Sequence, residues 1–101
     1  MAMKTAISIA YDGDESNGRY EARVEGHDGV GELTFQRLSP TRINANRTVV
    51  DDRLRGMGVA TALVEQLVKD ARENGTSIVP SCSFVKAQFD RHPEWSDLLD
   101  S

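Results

Sequence analysis

Two glycines, Gly56 and Gly58, follow an extended apolar segment that ends at Val50, and they open a long amphipathic run. A chain that turns through glycines into a helix leaves the first N–H groups of that helix without acceptors. The same end carries the positive pole of the helix dipole. With no Cβ atoms at positions 56 and 58, an anion can approach the backbone closely. Residues 50–60 therefore read as a pyrophosphate cradle, and the plain structural alternative is a tight turn that merely starts a helix. Two other phosphate loops fit poorly. A P-loop requires Gly-Lys-Ser/Thr, and no lysine lies between Lys4 and Lys69. A dinucleotide fingerprint wants a third glycine where Thr61 stands and an acid where Ile78 stands. The other chemical group is the single cysteine, Cys82, just ahead of an apolar-striped segment that begins at Ser83. A thiol at a helix N-terminus is shifted toward thiolate; the bland alternative is a small buried residue at a strand end. His27 lies among turn residues and His92 precedes Pro93, so both read as surface residues.

The elements that must position these groups are legible from periodicity. Val59, Ala60, Leu63, Val64, Leu67, Val68 and Ala71 recur at helical spacing, which predicts a helix over residues 57–74. Lys69 and Arg72 near its last turn and Asn74-Gly75 after it form the stop. Ahead of the glycines, residues 4–11 alternate, with Thr5, Ile7, Ile9 and Tyr11 on one face. Residues 12–18 are a polar turn. Tyr20, Ala22 and Val24 then alternate with Arg19, Glu21, Arg23 and Glu25, so one face of the sheet must lie in water. A turn over residues 26–29 leads to a strand over 30–38 with Leu33 and Phe35 inward, and residues 42–50 form a fourth strand. Residues 76–80 form a short strand whose helical crossover from the fourth strand should make it parallel. Residues 83–91 form a last helix, with Phe84, Phe89 and Trp95 read as core rather than as cofactor-stacking residues. The order β-β-β-β-α-β-α predicts an α+β fold: a mixed, mostly antiparallel sheet with helices packed on it.

A chain of 101 residues suits one domain, residues 1–101, around a single core. A net charge of −4 argues against nucleic acid or an anionic membrane as the main partner. No apolar run approaches the ~20 residues of a membrane span. Ser8 and Asp12 interrupt the apolar residues near the N-terminus, which argues against a signal peptide. One cysteine excludes an internal disulfide and a cysteine-rich metal site. The expected address is the cytoplasm, and the expected state a monomer or weak dimer.

The spacing Arg53-x-x-Gly56-x-Gly58 resembles the acetyl-CoA motif of the GNAT N-acetyltransferase superfamily, Q/R-x-x-G-x-G/A. Further on, a β-prone segment ends in Pro80, Ser81, Cys82, Ser83 and Phe84 before a helix. That pattern resembles the short Yjdj-type group, whose strand ends in Pro-x-Cys-x-Phe/Tyr. The likeness implies a GNAT-like sheet that lacks the N-terminal helices of the acceptor site, since only residues 12–18 join the first two strands. It implies acetyl-CoA as cofactor, with its pyrophosphate on backbone amides of Leu54 to Ala60 and added charge from Arg53 or Arg55. The implied cofactor contacts are Val50, Arg53, Leu54, Arg55, Gly56, Met57, Gly58, Val59 and Ala60. Pantetheine would lie where the strands over residues 42–50 and 76–80 splay, with Cys82 at the acetyl end as the catalytic candidate. One departure stands out. The group tends to carry His-Thr-acid-Val before the loop, whereas this chain has Arg47, Thr48, Val49 and Val50. An arginine remains protonated and cannot serve as a base.

Two function classes follow. One is an N-acetyltransferase moving an acetyl group to an amine, on a protein, peptide or other exposed acceptor. The other is a non-catalytic CoA-binding module acting through a partner protein. A purely structural domain is a third, weaker reading. Whether Cys82 carries the acetyl group or only shapes the site is open at this stage, as is the identity of the base.

Overall fold

The computed structural model describes residues 6–100. Its elements are β1 (Ile7–Gly13), β2 (Asn17–Val24), β3 (Gly31–Ser39), β4 (Arg42–Val50), a 3-10 turn (Asp52–Leu54), α1 (Val59–Asn74), β5 (Ser77–Pro80), α2 (Ser83–Arg91) and a closing 3-10 segment (Pro93–Leu98). The five strands lie in chain order in one sheet, with β1 to β4 antiparallel. The α1 crossover brings β5 back parallel to β4, as the strand–helix–strand order predicts.

Alternation in β2 sorts its side chains. Tyr20, Ala22 and Val24 are buried beneath the helices. Arg19, Glu21 and Arg23 lie on the other face, where Arg19 pairs with both Glu21 and Glu32. Such part-exposed pairs contribute little energy each, about 0–1 kcal/mol; the apolar face carries the stability. That face meets Leu63, Val64, Leu67, Val68 and Ala71 of α1 and Val85 and Phe89 of α2 in one core cluster. Glu65 and Lys69 point to solvent, so the helical phase read from the sequence holds. Ala60 departs from it. Only half-buried, it borders a cleft instead of the core.

The first hairpin is tighter than its polar sequence suggests. β1 runs on to Gly13, with Asp12 paired to Arg19 and Gly13 to Gly18, so the connection shrinks to residues 14–16. Asp14 closes it by accepting from the N–H groups of Ser16 and Asn17, a side-chain mimic of a backbone turn. Gly18 is required there, because a Cβ would stand 2.1 Å from the Phe35 ring. Lys4 and Thr5, assigned to this strand from the sequence, lie outside the described residues.

One irregularity positions the site. Thr34 pairs with Arg47 and Phe35 with Ala45, which leaves Asn46 as the extra residue of a β-bulge in β4. A bulge bends its strand and increases the local twist. Pairing between β4 and β5 ends at the same place, at Ala45 and Pro80. Beyond it, residues 46–50 of β4 have no strand neighbour on the β5 side among the described residues.

Candidate active site

The glycine turn joins the free part of β4 to α1. Asp51 opens the 3-10 turn by accepting from the Arg53 N–H at 2.9 Å, and Leu54, 1% exposed, anchors the turn in the core. Gly56 and Gly58 then take φ of 80° and 77°, the left-handed region that other residues enter at a cost. A Cβ at either position would meet nothing within 4 Å. These glycines are therefore demanded by backbone conformation and by the open space in front of them, not by crowding.

Gly58 is the N-cap of α1 and offers no side-chain cap. The amides of Leu54, Arg55 and Met57 are spent on Asp51, Asp52 and Leu54 carbonyls, and that of Ala62 on the Gly58 carbonyl. Among the described residues, the N–H groups of Gly56, Gly58, Val59, Ala60 and Thr61 have no protein acceptor. All five residues line one cleft, together with Val50, Leu54, Arg55 and Phe84. A cluster of unpaired donors at the positive end of a helix dipole fits a pyrophosphate. The expected span of amides, residues 54–60, is thus shifted: the donors at Leu54, Arg55 and Met57 are internally satisfied, and Thr61 joins the set. At about 240 Å³ the cleft is smaller than the ~300–1,000 Å³ typical of whole small-molecule sites, so it suits part of a longer ligand.

The two arginines differ. Arg53 forms a bidentate pair with Asp51 and does not border the cleft. The side-chain hydrogen bond from Arg53, followed by its backbone N–H, holds the Asp51 carboxyl down at about 2 against the opposing effect of burial. Arg55 borders the cleft and pairs with Asp52, their side chains 82% and 88% exposed. So exposed a pair is weak and leaves the guanidinium free to turn toward an anion.

At the other end of the split, Cys82 is the N-cap of α2, and its N–H donates to the Ala45 carbonyl at 2.8 Å. That bond closes the fork between β4 and α2. The thiol is half-buried, and Sγ stands 3.4 Å from the Thr48 hydroxyl. Burial pushes its pKa up, but hydrogen bonds from the Thr48 hydroxyl and from the N–H groups of Val85, Phe84 and Thr48 outweigh it, and the net shift is downward. From Ala45 to Val50 the free strand covers roughly 16 Å at the usual rise per residue. Cys82 is tied to the Ala45 end of this gap and its sulfur reaches Thr48 within it. Val50 and the glycine turn stand at the other end, and Phe84, in the first turn of α2 after Cys82, reaches across to wall the cleft.

Other residues fall as follows. Phe84, read from the sequence as core, is half-buried and walls the cleft, because the first turn of α2 lies against the glycine turn. Phe89 is core, with Trp95 edge-on to it at 5.6 Å. His27 is exposed, and His92 stacks on Trp95 and bonds Glu94. Arg47 is exposed on β4. Thr48, Thr61 and Phe84 escaped the sequence reading as site residues. Each carried a signal: Thr48 and Phe84 stand at matching positions of the two stretches that resemble the short group, and Thr61 is the third residue of a helix whose first amides must be free.

A five-stranded sheet whose parallel pair forks beside a glycine-turned helix N-terminus agrees with the fold of known acetyltransferases. The family model for GCN5-related N-acetyl-transferase matches residues 19–98, and the chain belongs to that family, whose acetyl donor is acetyl-CoA. It is also similar to the solution structure of a GCN5-like candidate N-acetyltransferase from Staphylococcus aureus. That match has a TM-score of 0.69 and 26% identity over 99% of this chain and 92% of the other. Among the described residues no helix is long and apolar enough to cross a membrane.

Proposed function

We propose that residues 1–101 act as a single acetyltransferase domain that moves the acetyl group of acetyl-CoA to an amine on an exposed acceptor such as a protein or peptide. The observation that carries this reading is the row of five unpaired amides at one end of a strand fork that has a thiol at the other. Gly56, Gly58, Val59, Ala60 and Thr61 would donate to the pyrophosphate, Arg55 would turn from Asp52 to add charge, and Val50 and Phe84 wall the cleft. Bound there, acetyl-CoA supplies a thioester carbonyl open to attack. Cys82 and Thr48, 3.4 Å apart, would be the residues to meet that carbonyl. Cys82 would either take the acetyl group, with CoA released as its thiol, and pass it to the amine, or orient the site for direct attack by the amine with CoA thiol as the leaving group. Direct attack is the better-supported route, since the Cys82 sulfur has the Thr48 hydroxyl beside it and, among the described residues, no side-chain base as a hydrogen-bond partner. The acceptor side is open because residues 14–16 alone join β1 to β2, which favours a large acceptor over an enclosed small molecule.

The same openness favours a second reading, a CoA-binding module without turnover whose partner completes the site. In either case we place the protein in the cytoplasm as a monomer or weak dimer with no nucleic-acid role, on its charge and its single thiol. Calorimetry with CoA and acetyl-CoA tests the shared part: micromolar to millimolar binding is expected, and none at millimolar concentration ends both readings. Turnover on a panel of proteins and amines, corrected for hydrolysis, separates the two.

A further inference from the structure

A second cavity opens at the far end of α1, roughly 16 Å along the helix axis from the glycine turn at the usual rise. Its floor is aromatic. The rings of Tyr11, Tyr20 and Phe35 stand 5.2–6.2 Å apart, and Phe35 is held in place against Gly18. Two charged side chains, Asp70 and Arg37, line it. On the helix side, Asp70 accepts from the buried Tyr20 hydroxyl at 2.7 Å and from Gln66 at 3.0 Å. On the hairpin side, Arg37 lies 5.3 Å over the Phe35 ring and donates to the Tyr11 hydroxyl and the Asp14 carbonyl.

Arg37 feels the Asp14 carboxylate electrostatically, but among the described residues neither charge is locked in an ion pair. Among the described residues Arg37 and Asp70 form no salt bridge, whereas Arg42, Arg53, Arg55 and Arg72 each pair with a carboxylate. Most of the guanidinium donors remain free, and the carboxylate retains lone pairs. Asn74, at the C-terminal end of α1, also lines the cavity, so the negative pole of the helix adds to Asp70 on that side. A wholly apolar ligand would strip water from both charges without replacing it. A simple amine would face Arg37, and a simple carboxylate would face Asp70. A ligand with a cation at one end, an anion at the other and an apolar body satisfies all three surfaces. The cavity measures about 230 Å³. Since one of ~150 Å³ takes benzene, this one takes on the order of nine heavy atoms.

We propose that this cavity binds a free aliphatic α-amino acid, with its ammonium on Asp70, its carboxylate on Arg37 and its side chain on the aromatic floor. The site is separate from the glycine turn, and its occupancy is measurable without acetyl-CoA or turnover.

The test is a titration of the isotope-labelled chain with L-leucine, followed by amide NMR shifts. Three analogues serve as controls: leucinamide and 3-methylbutylamine, which lack the carboxylate, and 4-methylpentanoate, which lacks the ammonium. Leucine should give saturable shifts at Arg37, Asp70 and Asn74, with millimolar affinity or better, while each analogue binds at least about tenfold more weakly. Arg37→Gln and Asp70→Asn, checked for folding in the same spectra, should each weaken leucine by about tenfold or more. Four results would overturn the proposal: no saturable shift at about 50 mM leucine, an analogue that equals leucine, shifts centred on Gly56 to Thr61, or unaltered binding in both folded variants.

Discussion

Gly58→Leu separates the demands of backbone and ligand at the glycine turn. In the folded protein position 58 has a φ of 77°, and a non-glycine residue held there costs about 1–2 kcal/mol. Nothing stands within 4 Å of an added Cβ, so no packing clash adds to that cost. For a domain of this size the loss lowers Tm by roughly 5–15 °C, and the protein stays folded at room temperature. The leucine side chain projects into the cleft where five amides converge. If it displaces a phosphate from two of them, at about 1.5–3 kcal/mol per charge-assisted bond, CoA affinity falls roughly 10²- to 10⁴-fold. Gly58→Ala carries the same backbone strain with little bulk and should lose about tenfold at most. Thermal unfolding and calorimetry on the three proteins give both quantities. A folded Gly58→Leu that binds CoA within about threefold of wild type would show that these amides do not hold the phosphates. Equal losses in the two variants would assign the effect to strain instead.

Leu67, 1% exposed beneath the sheet, should cost ~2–5 kcal/mol when cut to alanine, while Glu65→Ala and Lys69→Ala stay within about 0.5 kcal/mol in urea unfolding. The reverse order would put the helical phase in error. Cys82→Ala should keep CoA affinity within a few-fold, and it abolishes transfer only if the thiol carries the acetyl group. Mass spectrometry after mixing with acetyl-CoA detects such an adduct. Thr48→Val removes a hydroxyl that favours the Cys82 thiolate, so the pH profile of Cys82 alkylation should move to higher pH; an unmoved profile means that Thr48 does not tune the thiol. The folded pKa of Asp51 is depressed to about 2, so its contribution is complete above the ordinary carboxylate range and is lost as pH falls toward 2. Asp51→Asn should therefore flatten the acid limb of stability between about pH 4 and 2, and a carboxyl titration by NMR that gave an ordinary value would reject the hydrogen bonds to Arg53.

The residues alone sufficed wherever one short stretch determines its own geometry. The period of Leu63, Val64, Leu67 and Ala71 set the buried face of α1, and the strict alternation from Arg19 to Val24 set both faces of β2. Gly56 and Gly58 announced a turn into a helix with its first amides open, and the span of α2, Ser83–Arg91, matches its expected bounds. These features rest on dihedral preference and side-chain period, which neighbours in sequence carry. The bulge at Asn46 was not legible, because an unpaired residue exists only relative to the register of β3. Nor was the contact of Cys82 with Thr48, which joins two segments through the end of β4–β5 pairing. Phe84 became a wall of the cleft and Ala60 left the core because α2 comes to lie against the glycine turn. The meeting of Arg37 and Asp70 in the lining of one cavity likewise arises only when the hairpin and the end of α1 are brought together across the sheet. In each case the deciding quantity is a distance between groups far apart in the chain, which the packing of α1 and α2 on the forked sheet supplies.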